Sequence, residues 1–205
     1  IVNGVSVRSI RESLGEVLSE EVFPADAELV TYLPRCPEVA ARAYAKKTEL
    51  PFEPVFYKMR GERSFQGSTA GERKESIGQN LHLLPGMKEK LKGKTIILLD
   101  DSIVRGNNSK RARDLLYQEA EVEKAYLISY TPQIGIIGDD GVPRGCTFGV
   151  DMPPDPPPGD EFIARGRNSE EISAAMGMPV LYMSRAGMLK AFARAGLGEN
   201  DLCTF

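Results

Sequence analysis

The stretch Lys94-Thr95-Ile96-Ile97-Leu98-Leu99-Asp100-Asp101-Ser102-Ile103-Val104-Arg105-Gly106-Asn107-Asn108-Ser109 decides how this chain reads. Its first half is a continuous apolar run, the pattern of a strand buried on both faces of a parallel sheet. A helix over Ser109–Ala120 and a second strand over Lys124–Tyr130 follow, which predicts a parallel crossover unit. Open α/β sheets bind ligands beyond the carboxyl ends of their strands, and Asp100 and Asp101 sit at such an end. Gly106 permits a tight turn and a close backbone approach. The amides of Asn107, Asn108 and Ser109 then lie at the positive end of a helix, a site suited to a phosphate dianion. Taken alone, Asp-Asp ends a strand and Asn-Asn-Ser caps a helix. Together, with Ser102 and Arg105 between them, these features fit a ribose 5-phosphate. Its phosphate would meet the helix start, and its 2- and 3-hydroxyls, or a bridging magnesium ion, would meet the two carboxylates.

Working outward, Val7, Ile10, Leu14, Val17 and Leu18 recur at helical spacing and predict an amphipathic first helix. Leu29–Leu33 reads as a short strand closed by Pro34, Val39–Lys47 as a helix, and Pro54–Tyr57 as a strand. Between Lys58 and Asn80 basic residues alternate with glycine, serine and threonine, and large apolar side chains are scarce. A loop of that length in a compact domain is expected to be functional or disordered. Pro153–Gly159 is proline-rich, and helices are expected over Ser169–Met176 and Ser184–Ala195.

A chain of 205 residues fits one α/β domain with at most a small appendage. A net charge of −3 argues against a dedicated nucleic-acid or membrane surface. No apolar run approaches the roughly 18 residues that span a bilayer. Cys36, Cys146 and Cys203 are odd in number and far apart, which suits reduced thiols of a cytoplasmic protein.

At this point the sequence resembles a known family. The run Asp100–Ser109 is similar to the phosphoribosyl pyrophosphate signature of type I phosphoribosyltransferases. Its wording, Asp-Asp-Ser-Ile-Val-Arg-Gly, resembles that of the glutamine-dependent amidophosphoribosyltransferases of purine synthesis. Asn3–Val7, Tyr57–Arg60 with Arg63–Phe65, Cys146–Asp151, Asn168–Ile172 and Leu181–Ser184 resemble further segments of that family, in order. The resemblance implies a type I phosphoribosyltransferase fold: a parallel sheet of about five strands between helices, with a small C-terminal hood. Residues 1–131 would form the core, 132–205 the hood and tail, and 58–80 a flexible basic loop.

The implied reaction is attack of ammonia on C1 of phosphoribosyl pyrophosphate, with inversion and loss of pyrophosphate. Lys58, Arg60 and Arg63 would be the catalytic cations. Asp100, Asp101, Ser102, Arg105, Gly106, Asn107, Asn108 and Ser109 would bind substrate, and Asp100 and Asp101 would hold Mg2+. Other implied features are an ammonia-delivering glutaminase domain, a purine nucleotide inhibitor and a homo-oligomer.

The departures from the family are specific. The loop after the first strand reads Pro34-Arg35-Cys36-Pro37-Glu38 where the family has an Asp-Ser, which inverts its charge, and Pro37 removes an amide donor. Leu83 stands where a lysine is expected, and Asn107 and Asn108 replace two threonines. The chain begins at Ile1 rather than at a nucleophilic cysteine, and its lone histidine is His82, so the glutaminase is expected to be absent from it. Cys146 and Cys203 fall where two cluster ligands would lie, but four thiolates are normally needed, so no iron–sulfur cluster is expected. Two alternatives stay open: a salvage-type transferase for a nucleobase or other amine, and a non-catalytic module that senses phosphoribosyl pyrophosphate or nucleotides.

Overall fold

The computed structural model describes residues 1–59, 80–136, 141 and 162–202. Its elements in chain order are helix α1 (Val7–Glu21), strand β1 (Leu29–Tyr32), helix α2 (Glu38–Thr48), strands β2 (Phe56–Lys58) and β3 (Leu81–Leu83), and helix α3 (Met87–Leu91). Strand β4 (Thr95–Asp100), helix α4 (Asn107–Asp114), strand β5 (Lys124–Ser129), helix α5 (Ser169–Met176), strand β6 (Val180–Tyr182) and helix α6 (Arg185–Arg194) follow. Four strands form a parallel sheet in the order β1-β4-β5-β6. Phe52 adds a parallel bridge to Val30 outside β1, so five chain segments share the sheet. All six residues of β4 are buried, as its apolar run predicts for a central strand.

Strand alternation sorts the core into two layers. Val30, Ile97, Leu99 and Ile128 pack with Ile10, Leu14, Val17, Leu18, Ala40 and Tyr44 of α1 and α2. Leu29, Ile96, Leu98 and Leu127 pack on the opposite face with Ile103, Ala112, Leu115, Ile172 and Met176, around α4 and α5. α1 and α2 are in backbone contact: a Cβ on Gly15 would lie 2.1 Å from the Ala40 carbonyl oxygen. Ser6 caps α1, its side chain accepting from the Arg8 amide, and Asn168 with Glu171 forms a capping box on α5.

Two differences from the sequence reading have local causes. The strand expected over Pro54–Tyr57 is shifted to Phe56–Lys58, where it pairs antiparallel with β3, because Pro54 has no amide to give a ladder. The helix expected from Ser109 starts two residues earlier, since Gly106 takes φ +74° and closes the turn before Asn107. It also ends in a wider π turn over Leu115–Glu119. Within 132–205, expected as hood and tail, the described residues include β6, which pairs with β5, and α6, whose Lys190 and Arg194 bind Glu20 of α1. Among the described residues no helix is long and apolar enough to cross a membrane.

Candidate functional site

Asp100 ends β4 and Asp101 follows it, so alternation sends their side chains to opposite faces of the sheet. Asp100 turns toward α4 and is 8% exposed. One of its carboxylate oxygens accepts the Asp101 amide at 2.8 Å, and the other accepts the Ser109 hydroxyl at 3.2 Å. Burial, and then the neighbouring Asp101 charge, push the Asp100 carboxyl well above the usual carboxylate range. Asp101 is half-buried, and one of its oxygens accepts the Ser102 amide at 2.9 Å. Its backbone carbonyl accepts from the hydroxyls of Thr131 at 2.9 Å and Ser129 at 3.4 Å, both at the carboxyl end of β5. The acidic pair is therefore split by the pleat into one carboxyl that ties β4 to α4 and one at the rim of the sheet.

The turn into α4 is fixed by packing as well as by torsion. A Cβ on Gly106 would lie 2.4 Å from the Met176 methyl of α5, in addition to the strain of its positive φ. No side chain caps α4, so its start presents backbone amides at Asn107 and Asn108, both half-buried. Arg105 leans toward Phe162, with its guanidinium carbon 5.8 Å from the ring centroid, and the Ile163 amide donates to the Val104 carbonyl at 2.7 Å. The segment from Phe162 thus braces the loop from behind.

On the other face, the loop after β1 comes to the same rim. The Pro34–Arg35 peptide is cis. The Cys36 thiol is exposed on this loop, and Asp101 and Arg11 of α1 are the charged groups that act on it. Partial desolvation, and then the Asp101 charge, hold that thiol above its usual range although the residue is exposed, with Arg11 acting in the opposite sense. Tyr130, 5% exposed, faces the same group, and burial followed by Asp101 raises its hydroxyl too. Tyr182, on β6, faces Asp100, and its buried hydroxyl has no hydrogen-bond partner among the described residues.

Asp100, Asp101, Ser102, Arg105, Gly106, Asn107, Asn108 and Ser109 are thus gathered at one strand end and one helix start. Lys58 lies outside that group, on β2 opposite Leu81, where the chain leads into residues 60–79. Arg60, Arg63, Cys146 and Cys203 lie outside the described residues. Asp101, a hard oxygen donor at the rim, is the residue that would hold a magnesium ion here. Asp100 is less suited, since both its oxygens already accept hydrogen bonds. Arg11, Ser129, Tyr130 and Thr131 were not singled out by sequence. The polar run Ser129–Thr131 carried a signal, because it ends the next parallel strand at the same rim. Arg11 carried none, being one of several charges on a helix surface.

The fold and the site define a parallel α/β protein whose candidate ligand site lies at the carboxyl ends of β1, β4 and β5. Over nearly its whole length the chain is similar to proteins named amidophosphoribosyltransferase. It is 31% identical over 205 residues to that of Archaeoglobus fulgidus, covering 99% of this chain and 41% of the relative. It is 30% identical over 204 residues to that of Methanocaldococcus jannaschii, covering 98% and 39%. The glutamine phosphoribosylpyrophosphate amidotransferase of Bacillus subtilis complexed with ADP and GMP superposes with a TM-score of 0.74 at 28% identity, over 98% of this chain and 41% of that one. The chain spans about two fifths of the length of these relatives. No family model matches it.

Proposed function

We propose that the rim formed by β4, α4 and the Pro34–Glu38 loop binds phosphoribosyl pyrophosphate with Mg2+ and transfers its phosphoribosyl group to ammonia, as a pentosyltransferase of purine synthesis. The observation that carries this reading is the half-buried Asp101 carboxylate set beside a glycine-led helix start that no side chain caps. Similarity to amidophosphoribosyltransferases along nearly the whole chain supports it.

In this reading the α4 amides and Ser109 hold the 5-phosphate, and Asp101 holds the ribose hydroxyls. The diphosphate points toward Arg35 and the loop after β1. Ammonia's lone pair forms the new bond to C1 as the C1–O bond breaks and its electrons leave with pyrophosphate. The attacking nitrogen then releases one proton. Mg2+ held by Asp101 would supply charge neutralisation to the leaving group. The protein aligns the reactants, offsets charge and excludes water. Lys58, Arg60 and Arg63 are proposed to add cations as their segment meets bound substrate. Ammonia would come from a glutaminase domain, in a cytoplasmic homo-oligomer, and a purine nucleotide would compete for the same rim. ADP and GMP in the Bacillus subtilis complex support that last point.

Calorimetric titration of phosphoribosyl pyrophosphate with Mg2+ tests the binding step. Saturable binding that Asp101→Asn weakens about tenfold or more is expected, on the scale of a lost charge-assisted hydrogen bond. No binding to the wild-type chain would overturn the reading. The altered Pro34–Glu38 loop favours one second reading, a sensor, which predicts binding without release of pyrophosphate.

A further inference from the structure

We infer that Tyr182 of β6 is a positioning residue of this site: when Ser109 turns from Asp100 to the 5-phosphate of the ligand, the Tyr182 hydroxyl takes the Asp100 oxygen that Ser109 leaves. This rests on the phosphoribosyl pyrophosphate reading above. Strand register sets the geometry. Asp100 pairs with Ser129 and Ser129 with Tyr182, so one row crosses β4, β5 and β6. The row two residues earlier, Leu98, Leu127 and Val180, lies in the core layer around α4 and α5. Alternation sends Asp100, Ser129 and Tyr182 to that same face, and the Tyr182 ring packs against that layer. Neighbouring strands lie about 4.8 Å apart, so Asp100 and Tyr182 are about 10 Å apart at the backbone, a gap that a tyrosine reaching toward a carboxylate can span. Ser129 stands between them, its short side chain turned to the Asp101 carbonyl and the Thr131 hydroxyl.

Hydrogen bonding along this row is uneven. The Tyr182 hydroxyl is buried and, among the described residues, has no hydrogen-bond partner. A buried hydroxyl left unpaired is costly, which points to a partner in another state of the site. Burial, and then the Asp100 charge, raise that hydroxyl above its usual range, so it stays protonated and able to donate. Asp100 has both oxygens occupied, one by the Asp101 amide at 2.8 Å and the other by the Ser109 hydroxyl at 3.2 Å. Ser109 has a single hydroxyl proton. Donating it to a phosphate oxygen at the start of α4 deprives a buried Asp100 oxygen of its donor. Tyr182, on the same face and with no bond to give up, supplies the replacement. The exchange lets Ser109 serve the ligand without leaving a buried carboxyl unpaired.

Calorimetric titration of ribose 5-phosphate and, separately, magnesium pyrophosphate into the wild-type chain, Tyr182→Phe, Ser109→Ala and the double variant tests the exchange. Tyr182→Phe is expected to weaken ribose 5-phosphate about tenfold and to leave magnesium pyrophosphate within about twofold. In the Ser109→Ala background the same change is expected to cost less than about twofold, because no exchange takes place there. The urea midpoint of ligand-free Tyr182→Phe should match or exceed that of the wild type, since the hydroxyl removed has no partner in that state. Unchanged ribose 5-phosphate affinity in Tyr182→Phe, in a chain whose wild type binds it, overturns this inference alone. So does an equal loss with and without Ser109, or an equal loss for both ligands, since Tyr182 then acts through the fold. A lowered midpoint overturns it as well, because the hydroxyl is then already bonded without ligand. A wild-type chain that binds neither ligand overturns the underlying phosphoribosyl pyrophosphate reading.

Discussion

Asp100 and Asp101 are adjacent in sequence and alike in chemistry, yet the pleat gives them different surroundings, so they differ in what their loss does. Asp100→Asn can keep both hydrogen bonds, accepting the Asp101 amide and meeting the Ser109 hydroxyl with its amide group. It is expected to weaken binding of phosphoribosyl pyrophosphate less than Asp101→Asn does. Comparable losses in a titration of the two variants would contradict the split. Stability supplies an independent test. Because the Asp100 carboxyl is raised, the folded state holds its proton to higher pH than the unfolded chain does. Its contribution is therefore fully present below the ordinary value of about 3.9 and is lost as pH climbs through the folded value. Asp100→Asn removes that loss. Its urea midpoint should gain on the wild type in mildly alkaline buffer and show little gain near pH 4. An equal offset at both would show that Asp100 does not titrate as described.

At the scale of elements, two glycines set the positions on which the site depends. Gly106→Ala combines a positive φ of 74° with a Cβ 2.4 Å from the Met176 methyl. A cost of roughly 1–3 kcal/mol in urea unfolding is expected, together with weakened ribose 5-phosphate binding at the displaced α4 amides. Gly15→Ala meets backbone rather than a movable side chain and should cost about as much, through separation of α1 from α2. Wild-type stability in either variant would contradict the packing described. The long elements were legible because their patterns repeat: α1, α2 and β4 lie within a few residues of where their apolar spacing puts them. β3, β6 and α3 were not, since three-residue strands and a five-residue helix hold little more than one period and show no repeat. The split of the acidic pair follows from alternation and was legible in principle. The close crossing of α1 and α2 at Gly15 was not, because it depends on how two helices far apart in sequence pack.

For the molecule as a whole, the site is assembled from segments far apart in the chain: the loop after β1, the β4–α4 turn, the end of β5 and the brace at Phe162. Such a site needs the whole sheet to be in register. The sequence reading placed the β4–α4 turn and the loop after β1 at the site directly, and the strand-end rule leads to β5. The measurement that tests the central claim most directly is release of pyrophosphate from phosphoribosyl pyrophosphate by this chain with Mg2+, with and without ammonium at alkaline pH. Release that depends on ammonium and falls about tenfold or more in Asp101→Asn is the predicted result. Saturable binding with no release under either condition would contradict the transferase assignment and leave a site that only senses its ligand.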